Sequence, residues 1–375
     1  MRKDVVLSVY CKHKQGGFTK RLYRAYQAIA DSGHELIYVA SSELPVSGKG
    51  INAVILNMRS TEQSMLYWPE FYWRATFALR RLSKMHQVKT HFVFSFFYAT
   101  TSILSGIGLP VKTITLIRGD DVFDSRYKSH AWLRGTIHQL LEKIGVHFSA
   151  KVLATNSSMQ KDIQARNPKA RNIGVLPNDI TTSALDITTP TGNQPVKIVT
   201  VSVLNERKNI HLVLQALARI KHLDWEYLLI GPDTSGKEYG ETLKRFAEQH
   251  GIADRVKFLG WQSNAAQTLQ NCQLFVFPTL MEGSPNALME AMGYGLPCLA
   301  SRIPEVTEVL QDPQLHFDPK APEELVQKLT KFITDEEFAQ QVRTKTASGK
   351  QQYQFDWNTR IVELISQQSH SVPAT

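Results

Sequence analysis

Short, mainly apolar runs recur along this chain, each bounded by Gly, Pro or polar residues. They fall at 5–10, 92–97, 111–117, 151–155, 173–176, 196–203, 226–230, 255–259, 275–277 and 296–300. Continuous apolar runs of this length suit strands buried on both faces of a parallel sheet. Between them the apolar spacing changes to that of a helix. Leu22, Tyr23, Tyr26, Ile29 and Ala30 form one such set, ending at Gly33. A helix from Phe71 would group Phe71, Ala75, Ala78 and Leu82, and Leu133, Ile137, Leu140, Leu141 and Ile144 make the apolar face of an amphipathic helix over 129–146. Further helices are predicted from Asn209, over 238–249, over 264–270 and from Asn286. Strand and helix alternating in this way predict an α/β protein with parallel sheets.

The alternation is interrupted once, at 186–195, by the polar stretch DITTPTGNQP, which has no periodicity and reads as a linker. It divides the chain into domains at 1–187 and 188–357, and 375 residues suffice for two separate cores. The uncharged stretch between His91 and Lys112 is long enough to raise a membrane span. Its many Ser, Thr, Gly and Pro residues divide it instead into strand, helix and strand. The first apolar run is too short, and too soon followed by Lys12, His13 and Lys14, for a signal peptide. Cys11, Cys272 and Cys298 sit in or beside apolar runs without metal-ligand spacing, as in a reducing compartment.

The charge is unevenly placed. Residues 1–190 hold 25 Lys+Arg against 13 Asp+Glu, net +12, and the remainder 18 against 21, net −3. A pI near 9.3 first suggests nucleic acid, but no motif for it accompanies the charge. An anionic membrane face or a phosphate-bearing acceptor fits better. Within YWPEFYWRATFALRRLSKM, residues 67–85, the positions Trp73, Arg74, Phe77, Arg80, Arg81 and Lys84 fall outside the apolar side. They form either a solvated basic face or one that meets anionic lipid head groups or a lipid-carried acceptor.

Candidate chemistry concentrates in Phe275–Ser301, which packs strand, loop, helix and strand together. Pro285 and Asn286 are helix starters. Gly283 and Ser284 therefore bring backbone amides to a positive helix end, a site for an anion such as a sugar-nucleotide diphosphate. Glu282 lies in the loop before this helix and Glu290 about one turn inside it. The first can reach a group attached to the phosphate, the second a vicinal diol such as a ribose. Alternatively, one carboxylate answers the helix dipole and the other faces solvent. Other polar groups fall at carboxyl ends of strands, where parallel sheets bind ligands. They are Gly16 and Gly17 before the first helix, Arg118, Gly119, Asp120 and Asp121, the segment Leu204–Asn209 with Arg207 and Lys208, and Gly231.

The paired glutamates resemble the signature of retaining glycosyltransferases of family 4 (glycosyl transferases group 1). The resemblance implies the GT-B fold, two Rossmann-like parallel-sheet domains facing a central cleft. By the same resemblance Glu282 contacts the donor sugar, Glu290 holds the nucleotide ribose, Gly283, Ser284 and Asn286 lie at the diphosphate, and Lys208 is a phosphate ligand. Gly231 joins this nucleotide-binding set, and Gly16, Gly17 and Asp121 belong to loops at the acceptor and donor. Two positions depart from the pattern: Arg118 stands where histidine is common, and Val203 where an arginine usually contacts phosphate, with two readings open, that Arg207 replaces this contact or that the contact is absent. Phe355-Asp356-Trp357-Asn358 resembles the family's end, where a last helix, about 358–375, crosses back to the acceptor-binding first domain.

The implied function is transfer of a sugar from a UDP- or GDP-sugar to an acceptor hydroxyl with retention, without cofactor or metal. The acceptor would be a glycan or lipid-linked molecule of cell-envelope synthesis, handled in the cytoplasm or peripherally at the inner membrane face. Two other readings stay open: a sugar-nucleotide 2-epimerase of the same fold, and a non-catalytic nucleotide-sugar-binding subunit.

Overall fold

A computed structural model describes residues 4–13, 17–119, 131–182, 184–185, 194–234 and 238–370. The chain divides into two compact units, one comprising Met1–Pro177 with Asp356–Thr375, the other Asn178–Phe355.

Among the described residues the first unit has seven strands: β1 Val5–Val9, β2 Glu35–Ala40, β3 Ile51–Ile55, β4 Thr90–Phe94, β5 Lys112–Ile117, β6 Lys151–Ala154 and β7 Ile173–Val175. They pair in parallel in the order β3-β2-β1-β4-β5-β6-β7. Its helices are α1 Gly17–Asp31, α2 Tyr67–His86, α3 Phe96–Gly106, α4 Ala131–Phe148 and α5 Ser157–Arg166. The central strands β1, β2, β4 and β5 are buried almost throughout, because each apolar run must be covered on both faces.

The second unit repeats the plan with β8 Val196–Val201, α6 Ile210–Arg219, β9 Trp225–Ile230, α7 Glu238–Gln249, β10 Val256–Gly260, α8 Ala266–Leu269, β11 Leu274–Phe277, α9 Asn286–Tyr294, β12 Cys298–Ser301, α10 Pro304–Thr307 and β13 His316–Phe317. Its sheet is again all parallel, in the order β10-β9-β8-β11-β12-β13. Helices α11 Pro322–Thr334 and α12 Glu336–Lys350 complete it. The chain then re-enters the first unit through α13, Trp357–His370, which packs on α1. There Trp357 is fully buried, with the guanidinium groups of Arg21 and Arg24 5.6 and 5.5 Å from its ring centre. Arg24 Nε donates to Asn358 Oδ1 at 2.7 Å.

The division by contacts lies at Pro177/Asn178, ten positions before the 187/188 boundary drawn within the polar stretch 186–195, of which 186–193 fall outside the described residues. Backbone hydrogen bonds explain the shift. Ile180 N–H bonds Tyr353 O and Leu185 N–H bonds Tyr294 O, both at 2.9 Å, so these residues are tied to the second unit. Thr182 Oγ1 also donates to the Glu290 carbonyl at 3.2 Å.

Two helices differ from their sequence reading. Helix α2 begins at Tyr67 and buries Tyr67, Phe71, Ala75, Leu79 and Ser83, an i+4 ladder that leaves Ala78 and Leu82 half-buried. In α4 the inner side carries Glu142, Gly145 and Val146, while Leu133, Ile137 and Leu140 are exposed. Gly145 sits so close to Phe96 of α3 that a Cβ would lie 2.4 Å from the ring, which brings that side of α4 inward. Glu142 is buried but satisfied: Arg166 Nη2 donates to it at 2.8 Å, as does Asn167 Nδ2.

Between α2 and β4 the imidazole of His91 is enclosed by Ser83 Oγ at 2.9 Å and Ser102 Oγ at 2.8 Å. Burial pushes its pKa down to about 4. The neutral ring therefore supports the fold fully above the unfolded value of about 6.5. That support is lost as pH falls from there toward 4, for a total of about 3 kcal/mol. His91→Gln should accordingly lose less stability than the parent between pH 7 and 4.5 in urea unfolding; parallel losses would refute the assignment. In the second unit, a Cβ at Gly293 would lie 1.7 Å from Thr182 Oγ1 and 2.6 Å from Ile180 Cγ2. Gly293→Ala should cost roughly 1–3 kcal/mol by overpacking. An unchanged unfolding midpoint would mean that 180–182 does not press on α9.

Candidate functional site

Strand order in the second sheet reverses between β8 and β11, whose connections leave in opposite directions and open a gap at their carboxyl ends. The loops after these two strands carry the polar residues singled out above. After β8, Asn205 caps a short 3₁₀ turn over Glu206–Lys208, its side chain accepting from Lys208 N–H at 3.2 Å. Asn209 then adopts a left-handed conformation with φ 55° and starts α6. Its amide donates to Pro278 O at 3.1 Å and Pro319 O at 2.8 Å. A side chain able both to tolerate this φ and to reach two carbonyls is a reason for asparagine there.

The loop after β11 is stitched to this turn. Leu280 N–H bonds Arg207 O at 2.9 Å, Arg207 Nη1 donates to Met281 O at 2.9 Å, and the buried Thr279 hydroxyl donates to Met281 O at 3.1 Å. The stitching delivers Glu282 to Lys208. Lys208 Nζ pairs with Glu282 Oε1, and Arg207 Nη1 lies 3.8 Å from Oε2. Both members of the close pair are largely shielded from water, whereas Arg207 is more open. The ammonium also sits 5.5 Å above the Phe277 ring. One carboxylate and two cations thus form a single group, where sequence reasoning placed Glu282 at the sugar and Lys208 and Arg207 at the phosphates separately.

Helix α9 follows at once. Its entry is fixed by Asn178, whose Nδ2 donates to Ser284 Oγ at 2.8 Å and to Asn286 Oδ1. Asn286 N–H closes a turn onto Ser284 O at 2.8 Å. Gly295, with φ 90°, ends the helix in a left-handed cap. Leu288, Met289, Ala291 and Met292 are buried, which turns Glu290 outward and exposed. Burial and then the nearby Glu290 carboxylate raise the pKa of Tyr294, one turn on.

Gly231, just past β9, has φ 140°, and a Cβ there would lie 1.9 Å from Ser202 O. Its N–H bonds Gly260 O at 2.7 Å. Glycine at 231 is thus required by the approach of the β8 and β10 ends, independently of any ligand. Glu282, Gly283, Ser284, Asn286, Glu290, Arg207, Lys208 and Gly231 all lie in the second unit, at this edge of its sheet or on α9. Arg118 follows β5 and Gly17 opens α1, both in the first unit. Gly16 and Asp121 lie outside the described residues. Asn178, Asn205 and Asn209 were missed as site residues. Asn178 carries no local mark of this role, since it lies 106 positions from the Ser284 it holds.

A family model for Glycosyltransferase Family 4 matches residues 15–184, and one for Glycosyl transferases group 1 matches 188–348. The lipopolysaccharide 1,6-galactosyltransferase of Salmonella typhimurium is 28% identical over 193 residues, covering 49% of this chain and 52% of that protein. The chain thus spans about half the length of that relative. The apo structure of the lipopolysaccharide outer core galactosyltransferase WaaB superposes with a TM-score of 0.71 at 18% identity, covering 98% of this chain and 99% of that one. Anabaena Alr3699/HepE in complex with UDP and glucose gives 0.74 at 16% identity, covering 97% and 100%. At these identities the likeness to the two structures is one of fold.

The buried pair yields a direct test. Lys208→Met leaves Glu282 shielded, with only the more distant Arg207 to balance it, and should destabilise the second unit by roughly 3 kcal/mol. Lys208→Met with Glu282→Gln should recover much of that loss, since no charge is left in the shielded site. Additive losses in a double-mutant cycle on urea unfolding would show that the two side chains do not interact.

Proposed function

The chain belongs to the family 4, group 1 glycosyltransferases and has their GT-B fold, and from that footing we propose that it moves a sugar from a nucleoside diphosphate sugar to an acceptor hydroxyl. The observation that carries the reading is the Glu282–Lys208–Arg207 group at the strand-order reversal, immediately ahead of α9, with Glu290 exposed eight positions on.

On this reading the diphosphate lies against the first turn of α9, whose N-terminal dipole favours negative charge. Lys208 and Arg207 add two cations on the same side. In transfer the bond from the anomeric carbon to the diphosphate oxygen breaks, and a bond from the acceptor oxygen forms on the same face, retaining configuration. The acceptor's proton passes to the departing diphosphate. The negative charge growing on that leaving group is what the helix end and the two side chains stabilise, an electrostatic contribution that is largest when the groups are already positioned. Lys208 is so positioned by its pair with Glu282, whose carboxylate is also held where a hydroxyl of the donor sugar can donate to it. Glu290 takes the ribose diol from its exposed place on the helix. No step calls for a metal.

The UDP and glucose held by the Anabaena protein support a uridine nucleotide donor, and the Salmonella relative supports an envelope glycan or lipid-linked acceptor. A panel of nucleotide sugars, read by donor hydrolysis and product analysis, tests the reaction. Recovery of a 2-epimerised nucleotide sugar would make the protein an epimerase, and binding without hydrolysis or transfer to any glycan acceptor would make it a binding subunit.

The two glutamates should separate in their effects. Glu282→Gln should retain free nucleoside diphosphate nearly as the parent does in calorimetry, yet transfer about 10²–10³ more slowly. Glu290→Ala should weaken nucleotide and donor alike, and ribose donors should be preferred over thymidine-type deoxyribose donors. If Glu282→Gln loses nucleotide affinity as badly as Glu290→Ala, the donor does not lie along α9 in this direction. Transfer should also survive EDTA; activity restored only by a divalent cation would overturn the metal-free reading.

A further inference from the structure

Helix α4 is placed upside down for a helix covering a sheet. Such a helix turns its apolar stripe to the core. Here the inner side holds Glu142, Gly145 and Val146, and Leu133, Ile137 and Leu140 project on the opposite side, next to Trp132, which is 82% exposed. Helix α2 keeps its apolar ladder inside but carries further aromatic side chains outside. Trp73, 68% exposed, and Phe77 point away from the buried ladder and pack on each other with ring centres 4.6 Å apart. The two stripes belong to one surface, because α3 packs between α2 and α4. Tyr72 of α2 donates to Phe97 O at 2.8 Å, and Arg80 Nη1 donates to Ser105 O at 3.1 Å and Ile107 O at 2.6 Å. A surface with this much exposed apolar area is an interaction site.

The charge says what kind. Arg81, Lys84 and Lys143 are exposed at its edges. Across α2, α3 and α4 the only acidic residues are Glu70, engaged by Arg74 Nε at 2.6 Å and by the Ser60 hydroxyl, and the buried Glu142, engaged by Arg166. The half of the chain that holds this surface carries the net positive charge. Large aromatic and aliphatic side chains beside Lys and Arg that no free acidic residue of these three helices balances match the boundary between head groups and acyl chains of an anionic bilayer. No helix among the described residues is long and apolar enough to cross a membrane, so contact made by this surface would be interfacial. We propose that the α2–α3–α4 surface of the first unit docks on an anionic lipid bilayer, with Trp132, Leu133, Ile137 and Leu140 inserted and Arg81, Lys84 and Lys143 at the head groups.

The test uses the full chain without donor, so it stands apart from the transfer reaction. Flotation with vesicles of phosphatidylcholine, with and without phosphatidylglycerol, should show binding only to the anionic set, falling steeply as salt is raised. Leu133→Ser/Ile137→Ser/Leu140→Ser should reduce binding by about tenfold or more at low salt. Arg81→Gln/Lys84→Gln should lessen the preference for the anionic set, and neither variant should change the circular dichroism or unfolding midpoint greatly, since the altered side chains face water. Quenching by brominated lipid should fall in Trp132→Phe. Absence of binding, equal binding to neutral vesicles, or full binding by the triple variant would each overturn the proposal. So would a concentration-dependent dimer in sedimentation that the triple variant abolishes, because the surface would then be covered by a second copy.

Discussion

A single ion pair ties together the two strands between which the second sheet reverses. Glu282 and Lys208 meet over the carboxyl ends of β11 and β8, and neither is well hydrated. Such a pair is seldom the cheapest way to fill a core, since desolvation can match the attraction. Its value here is geometric. With Leu280 N–H on Arg207 O and Asn209 on Pro278 O, it fixes two loops that no secondary structure connects. The start of α9 is therefore set by the same contacts that set the cations beside it.

This arrangement leaves the other charged residues with different freedoms. Arg207 is anchored through Met281 O yet remains partly open, as a cation must be to meet a second anion. Glu290 is exposed on α9, so its removal disturbs no core. Gly231 shows the reverse case: its φ and the nearby Ser202 carbonyl fully account for the residue, and a ligand role needs separate support.

Much of the fold was legible because the strands are short, apolar and punctuated, and a parallel sheet buries them on both sides. The placement of Glu282 and Lys208 in loops after strand ends, and of Glu290 on the helix that follows, was legible as well, since a helix start after a strand end has a recognisable local sequence. What stayed hidden depends on partners distant in the chain. Nothing local marks Asn178 as the residue holding Ser284 and Asn286. The apolar spacing of α4 identifies a stripe but not the direction it faces; that was decided by the contact of Gly145 with Phe96 and by the pairing of Glu142 with Arg166. The contact boundary at Pro177/Asn178 was not legible, for a related reason. The polar composition at 186–195 is conspicuous, whereas the hydrogen bonds that commit 180–185 to the second unit leave no local signal.

The backbone hydrogen bond from Ile180 to Tyr353 joins the place where the chain enters the second unit to the place where it leaves. The second unit is therefore an insertion, a continuous length of chain whose ends are already closed on each other, set into a unit that is discontinuous in sequence. Closing a long excursion at its base limits the loop-closure entropy that the host unit must supply to bring Pro177 and Asp356 together. It also makes the segment from Asn178 to Phe355 a natural unit of recombination. A gene exchange cut at those two points would replace the glutamate-bearing sheet entire while leaving α1, α13 and the α2–α4 face of the host in register. Diversification of such chains can thus proceed by cassette as well as by point substitution.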